Sequence, residues 1–141
     1  GYMLIANRGG NNNSIGIESC INENSDIYLT WQRTAKLVAN LLYNNNLSFD
    51  DVKQHHYFSG KNCPQTIREN NMWDHFMDLV KVEYKAIQLN KEGYSFTLIS
   101  NNDLIINNGR ILYSNEEKNI NITIRISKNN EYKDLDFKIT I

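Results

Sequence analysis

The chain has 141 residues, which is long enough for one ordinary domain or for two small ones with buried cores. Its formal net charge of -1 and its scattered Lys and Arg residues give no electrostatic reason to expect binding to nucleic acid or to an anionic membrane. No apolar run is long enough to span a membrane, and residues 1–20 lack the basic start and apolar core of a signal peptide.

The first predicted element is a β-strand at residues 14–21, SIGIESCI. Ile15, Ile17 and Ile21 alternate with other residues, which is the period of a strand with one buried face. Glu18 would project from the face opposite the isoleucines.

A helix is predicted between Thr30 and Tyr43, where apolar residues recur at helical spacing. Thr30 or Asp26 would cap its start, and the three asparagines at 44–46 would end it because Asn tolerates the left-handed conformation. The residues at helical spacing are Trp31, Ala35, Val38 and Leu42.

Three further signals place the elements that follow. Ser48 and Asp51 have the spacing of a capping box and predict a single capped turn. Pro64 suits the first turn of a new helix. A helix of roughly three turns is then predicted from Met72 to Val80, with its aromatic residues in the core.

Beyond about Tyr84 the hydrophobic period changes from helical to strand-like, which predicts a domain boundary. Residues 1–83 would form the first domain and residues 84–141 the second. Turn signals at 107–109 and 128–130 separate short alternating runs, so the second domain is predicted to be a small antiparallel β-sandwich. The alternating runs contain Ile120, Ile122, Ile124 and Ile126, and then Leu135, Phe137, Ile139 and Ile141.

The segment HHYFSGKNCP, residues 55–64, concentrates reactive side chains. Zinc binds imidazole and thiolate, so His55 and Cys63 are candidate ligands, although a loop with this spacing is more often free of metal. Lys61 could stabilise an oxyanion or be a solvated loop lysine. Glu18 could act as a general base or simply face solvent. The two cysteines of the chain are too few to indicate a disulfide framework.

Four segments taken together resemble a known family. They are NNNSIGIESCIN, WQRTAKLVANLL, VKQHHYFSGKNCP and a later W-x-x-F helix, and they lie within about residues 7–80. In this order they resemble the zinc-dependent N-acetylmuramoyl-L-alanine amidases of the phage-lysozyme and peptidoglycan-recognition superfamily. The resemblance implies an α/β amidase-type domain, with a central sheet flanked by helices. It also implies a secreted or cell-wall-associated hydrolase that acts on peptidoglycan.

The resemblance assigns a role to each candidate residue. His55 and Cys63 would be zinc ligands. Lys61 would stabilise the charged tetrahedral intermediate, and Glu18 would activate or position the attacking water. His56 falls at a variable position of the motif and is expected to be a loop residue, with replacement of His55 as ligand as the alternative.

The chain also departs from the family pattern. Family members carry their first zinc ligand, a histidine, on a strand upstream of the segment that matches SIGIE, and this sequence has no histidine before His55. We therefore expect an N-terminally truncated amidase domain that lacks one ligand. His75, the remaining histidine, is expected to be a surface or packing residue of its helix.

The tail from residue 101 onward has a looser resemblance. It is similar to the atrophied bacterial immunoglobulin-like repeats of secreted surface and cell-wall proteins, which share its N-G-x-V/I turn and its alternating closing strands. This resemblance implies an Ig-like β-sandwich that acts as a spacer or attaches the protein to the cell wall.

Three functions are compatible with these patterns. The leading hypothesis is a zinc-dependent amidase whose partner is peptidoglycan, with no nucleic acid and no membrane. The alternative is a non-catalytic module that binds peptidoglycan in the same groove without a functional metal, because the first ligand is absent. A third possibility is a degraded gene product that has no function.

Overall fold

A computed structural model describes residues 13–24, 26–99, 105–106, 110–111, 116–117 and 119–140. The chain contains both helices and antiparallel β-structure, so its fold is mixed α and β. It divides into two compact units between Ile87 and Gln88. The sequence predicts the domain boundary after residue 83, and the assignment of two domains stays a prediction.

Helix α1 (Ile27–Asn45) extends the predicted helix at both ends. Its N-cap is Asp26, whose side chain accepts a hydrogen bond from the backbone N–H of Leu29 at 2.9 Å. Of the two predicted caps, Asp26 is confirmed, so the predicted start at Thr30 is too late. The helix ends at Asn46, whose φ of 52° is left-handed, and this confirms the stop predicted from the asparagines.

Short helical segments connect α1 to the last helix. They are a 3₁₀ turn (Phe49–Asp51), helix α2 (His55–Ser59) and helix α3 (Gln65–Glu69). The capping box is confirmed, since a carboxylate oxygen of Asp51 accepts hydrogen bonds from the backbone N–H and the hydroxyl of Ser48. Pro64 is the N-cap of α3, so a helix begins at the predicted point.

Helix α4 (Trp73–Lys91) contains 19 residues and is longer than predicted. The helix continues past Tyr84, so the predicted change from helical to strand-like structure near this residue is wrong. Tyr84 and Ile87 continue the helical spacing from Val80 and pack against the core, which extends the apolar face of the helix. The chain leaves the helix at Gly93, whose φ is 89°. None of the described helices is long and apolar enough to cross a membrane.

The core of the first unit lies between α1, α3 and α4. The apolar face of α1 packs with Ile67 of α3 and with Phe76 and Val80 of α4, all of which are buried. The buried residues of α1 are Trp31, Ala35, Val38, Ala39 and Leu42. The core positions predicted from helical spacing on α1 are therefore confirmed.

The strand predicted at residues 14–21 is not formed, since residues 15–22 have no regular secondary structure. The backbone of residues 15–21 makes no hydrogen bond to another described residue, and a strand requires a paired neighbour. The alternation is nevertheless present, because Ile15, Ile17 and Ile21 line a common cleft. The described residues up to Ile87 contain no strand, so the central sheet of the first unit stays a prediction.

The second unit contains a three-stranded antiparallel sheet and a separate strand pair. The strands are β1 (Ser95–Leu98), β2 (Ile105–Ile106), β3 (Arg110–Ile111), β4 (Asn119–Lys128) and β5 (Glu131–Thr140). The sheet has the order β1-β4-β5, and β2 pairs with β3. Strands β4 and β5 confirm the two alternating runs. The two-sheet Ig-like sandwich stays a prediction.

The turn between β4 and β5 follows from its two residues. Asn129 and Asn130 have φ values of 51° and 66°, and two-residue hairpin turns of type I′ require positive φ at both positions. Asn adopts this conformation more readily than most residues, so the turn predicted at 128–130 is confirmed. The turn predicted at 107–109 lies outside the described residues.

The sheet formed by β4 and β5 has one apolar and one polar face. Ile124 pairs with Leu135 on the first, and Arg125 pairs with Asp134 on the second. The guanidinium of Arg125 donates hydrogen bonds of 2.8 Å to both carboxylate oxygens of Asp134 and lies 3.8 Å from the ring centroid of Tyr132. The hydrogen bond from Arg125 lowers the pKa of Asp134 below its ordinary value.

Truncation of a core residue should destabilise the first unit specifically. We expect Leu42→Ala to lower its free energy of unfolding by about 2–5 kcal/mol, since Leu42 is buried and its removal leaves a cavity. Leu37→Ala on the same helix is the control, because Leu37 is 48% exposed, and it should change the value by less than about 0.5 kcal/mol. Urea unfolding followed by tryptophan fluorescence measures this unit, which contains both tryptophans of the chain. An equal loss in the two variants would contradict the described packing.

Asp134 should contribute to the pH dependence of the second unit. Because its folded pKa is lowered, its carboxylate contributes stability above its unfolded pKa, and this contribution is lost as the pH falls through the folded pKa. An NMR titration should therefore show a midpoint below that of an unfolded peptide, and Arg125→Met should raise this midpoint. Lys138→Met removes a charge from the same strand and should leave the midpoint nearly unchanged. A midpoint that does not respond to Arg125→Met would rule out this cause.

Candidate functional site

The segment treated as a loop in the sequence analysis begins as helix α2. This helix ends at Gly60, whose φ of 73° lies in the left-handed region that favours glycine. The backbone N–H of Gly60 donates to the carbonyl of His56 at 2.8 Å. The hydroxyl of Ser59 donates to the carbonyl of His55 and accepts from the backbone N–H of Lys61, both at 3.1 Å. The chain therefore turns at Gly60.

After this turn the chain returns to the start of α2. The backbone N–H of His56 donates to the carbonyl of Cys63 at 2.9 Å, which places the two segments side by side. The Nδ1 atom of His56 lies 3.1 Å from the carbonyl oxygen of Lys61, and this contact requires the proton on Nδ1 because a carbonyl only accepts. One ring nitrogen of His56 is thus engaged within the segment, and His56 is not among the residues that line the neighbouring cleft.

A cleft of about 490 Å³ lies beside this segment, and both His55 and Cys63 line it. Its walls are mainly apolar and include Ile15, Ile17, Trp31, Val38, Leu42 and Phe76. A volume of this size in mainly apolar surroundings, with a few polar groups, is typical of a small-molecule binding site. His55 and Cys63 therefore both belong to the lining of a cleft of ligand-binding size.

The other two predicted site residues lie outside this lining. Glu18 and Lys61 are exposed and do not line the cleft. Ile17 and Ser19, the neighbours of Glu18, do line it, which agrees with the predicted alternation of the segment. The structure thus brings two of the four residues to one cleft, and the roles of all four stay predictions. His75 is exposed on α4, as expected.

The described residues contain no group of three or more His, Cys, Asp or Glu side chains that could hold a metal ion. His55 and Cys63 are both half-buried, and Cys63 is a free thiol, so the residues present fit part of a zinc site. Asp51 also lines the cleft, but its Oδ2 accepts hydrogen bonds from the backbone N–H and hydroxyl of Ser48 at 2.7 and 2.8 Å. These bonds, the backbone one first, lower the pKa of Asp51.

A polar network that the sequence analysis does not identify supports the segment from outside. The guanidinium of Arg68 donates to Gln54 at 2.6 Å and to Asn62 at 3.0 Å. Asn62 in turn donates to Glu69 at 3.0 Å, and Glu69 also accepts from Gln65 at 2.9 Å. No sequence signal marks these residues, because such polar types are common on protein surfaces and only the fold brings Gln54 to Arg68.

Comparison with known proteins finds similarity to one class of enzyme, the N-acetylmuramoyl-L-alanine amidases. Amidase XlyA of Bacillus subtilis (strain 168) is 37% identical over 70 residues, which are 50% of this chain and 23% of that protein. Amidase CwlH of the same strain is 33% identical over 69 residues, or 49% of this chain and 27% of that protein. Amidase CwlA of the same strain is 31% identical over 80 residues, which are 55% of this chain and 29% of that protein.

The chain thus spans between 23% and 29% of the length of these curated relatives. No protein-family model and no solved structure matches it.

The conformation of Gly60 can be tested by substitution. Gly60→Ala should lower the free energy of unfolding of the first unit by about 1–2 kcal/mol, because a Cβ is disfavoured at a left-handed φ. Gly60→Asn should cost less, since Asn tolerates this conformation. Gly16→Ala is the matched control, because a Cβ at either position meets nothing within 4 Å and only Gly60 has a left-handed φ. Urea unfolding measures all three, and equal effects of the two Ala variants would contradict the assignment.

Proposed function

We propose that this chain is part of a peptidoglycan hydrolase that cleaves the amide bond between N-acetylmuramic acid and L-alanine. The observation that carries the proposal is that His55 and Cys63 line the same cleft. The similarity to three N-acetylmuramoyl-L-alanine amidases supports it and supplies the reaction. Because peptidoglycan lies outside the cytoplasmic membrane, the proposal includes a secreted or cell-wall-associated location.

Zinc is the cofactor of the proposed reaction. His55 would bind it through an imidazole nitrogen and Cys63 through its thiolate, and a third protein ligand would come from outside the described residues. When bound, zinc would supply Lewis acidity toward the scissile carbonyl and toward water. The backbone hydrogen bond from His56 to Cys63 would hold the two ligand-bearing segments together before any metal binds.

Lys61 and Glu18 would stabilise charge and transfer protons during the reaction. Lys61 would stabilise the negative charge that develops on the carbonyl oxygen in the tetrahedral intermediate. Glu18 would accept a proton from the attacking water and return it to the leaving amine of L-alanine. Both residues are exposed, so both are accessible to a polymeric substrate.

The two units would have separate roles in this protein. We propose that the first belongs to an α/β amidase-type domain, whose central sheet would pair with the extended segment at residues 15–21. The second would be an Ig-like sandwich that spaces or attaches the enzyme at the cell wall. The alternating strands β4 and β5, with one apolar face, support this second part.

One observation favours a second candidate function. The described residues supply two metal donors of the expected type that line one cleft, whereas a catalytic zinc site uses three protein ligands. A non-catalytic module that binds peptidoglycan in the same cleft is therefore the alternative. It would require neither zinc nor the thiol of Cys63.

Zinc-dependent release of new L-alanine amino groups from purified peptidoglycan tests whether the full chain carries the proposed activity. Cys63→Ser should abolish the release by removing one ligand. Lys61→Met should reduce the rate by about 10²–10³-fold, which is the usual effect of removing an oxyanion donor. Lys85→Met, at an exposed position of α4, should leave the rate unchanged.

The same preparations separate the two candidate functions. Sedimentation with peptidoglycan in the presence of a chelator measures binding alone. Binding without release, unaffected by chelator and by Cys63→Ser, would contradict the enzyme and support the binding module. If the full chain neither releases amino groups nor binds peptidoglycan, both candidate functions are contradicted.

A further inference from the structure

Arg68 bridges the two residues that precede the proposed zinc ligands. Gln54 comes directly before His55, and Asn62 comes directly before Cys63. The Nη1 atom of Arg68 donates to Oε1 of Gln54 at 2.6 Å, and its Nε donates to Oδ1 of Asn62 at 3.0 Å. A single guanidinium therefore connects the start of α2 to the segment that returns after Gly60.

We propose that Arg68 is a positioning residue that sets the separation of His55 and Cys63 and thereby the metal affinity of this pair. The inference rests on the zinc site of the proposed function. Arg68 does not line the cleft, so it acts through Gln54 and Asn62 and makes no contact with the ligand itself.

The planarity of the guanidinium is what makes this bridge a constraint. Its N–H groups are held in one plane at fixed angles, so the two acceptors that they bind are fixed relative to each other. Both donors carry positive charge, which shortens and strengthens such hydrogen bonds relative to neutral ones. A lysine at this position would offer a single flexible ammonium and could not hold both acceptors at fixed angles.

The bridge is anchored to the core at its other end. Arg68 belongs to α3 and follows Ile67, which is 6% exposed in the core of the first unit. The backbone N–H of Arg68 also donates to the carbonyl of Pro64 at 3.1 Å. Asn62, which is exposed, also donates a hydrogen bond to Glu69 at 3.0 Å. The separation of His55 and Cys63 therefore depends on the position of α3, which is packed in the core.

The first test is a titration of the full chain with Co²⁺ alone, followed by the charge-transfer absorption of a cobalt–thiolate bond. The unaltered chain should show this band and Cys63→Ser should not. Arg68→Met keeps an unbranched apolar side chain but removes both donors, and it should weaken Co²⁺ binding by about 10–100-fold, the usual effect of removing an outer partner of a ligand. Arg68→Lys should restore little of this affinity, because a positive charge alone does not fix Gln54 and Asn62 relative to each other.

The matched control is Lys81→Met. Lys81 is exposed on α4 and pairs with Asp78 at 2.9 Å, so its substitution also removes a cation and an ion pair, but neither residue lines the cleft. It should leave the cobalt affinity unchanged. Thermal unfolding in the presence of a chelator shows whether each variant is folded.

A second measurement needs no metal. The backbone N–H of His56 donates to the carbonyl of Cys63, so its hydrogen exchange reports whether the two segments separate. Exchange of this amide should accelerate in Arg68→Met, while exchange of the core amides of Phe76 and Val80 should not. Unchanged exchange at His56, or unchanged cobalt affinity in Arg68→Met, overturns the proposal. Absence of the cobalt band in the unaltered chain overturns the zinc site itself and is recognised before any variant is compared.

Discussion

The packing of α1 against α3 and α4 is the constraint on which the first unit depends. Ile67 holds α3 in this core, and Phe76 and Val80 hold α4. Since α3 is fixed at Ile67, the chain that enters it through Pro64 is fixed as well, and so is the side chain of Cys63 at the cleft. The arrangement of polar groups at the surface is therefore a consequence of apolar contacts beneath it.

The parts of the fold that the sequence predicts correctly are those with local causes. The cap and stop of α1, at Asp26 and Asn46, depend on hydrogen bonds and backbone angles within a few residues. The same holds for the turn at Asn129 and Asn130, where two consecutive positive φ angles require a tolerant residue type. The apolar face of α1 is equally local, because a helix places its own residues on one side.

The parts that the sequence does not predict depend on neighbours distant in the chain. Alternation at residues 15–21 identifies an apolar face, but a strand also needs a pairing partner that no local pattern supplies. The end of α4 is misplaced because Tyr84 and Ile87 fit either period until the core selects the helix. In the site, a family resemblance identifies His55 and Cys63, whereas Arg68 becomes visible only when Gln54 is brought to it.

The strand order β1-β4-β5 has a consequence for how the second unit folds. Lys128 pairs with Glu131 across a two-residue turn, whereas Leu98 pairs with Ile124 only after the intervening chain has closed into a loop. Closing a longer loop costs more conformational entropy, and non-local pairing slows folding. We therefore expect the β4–β5 hairpin to be the less costly nucleus and β1 to complete the sheet by docking onto an edge of β4 that already exists.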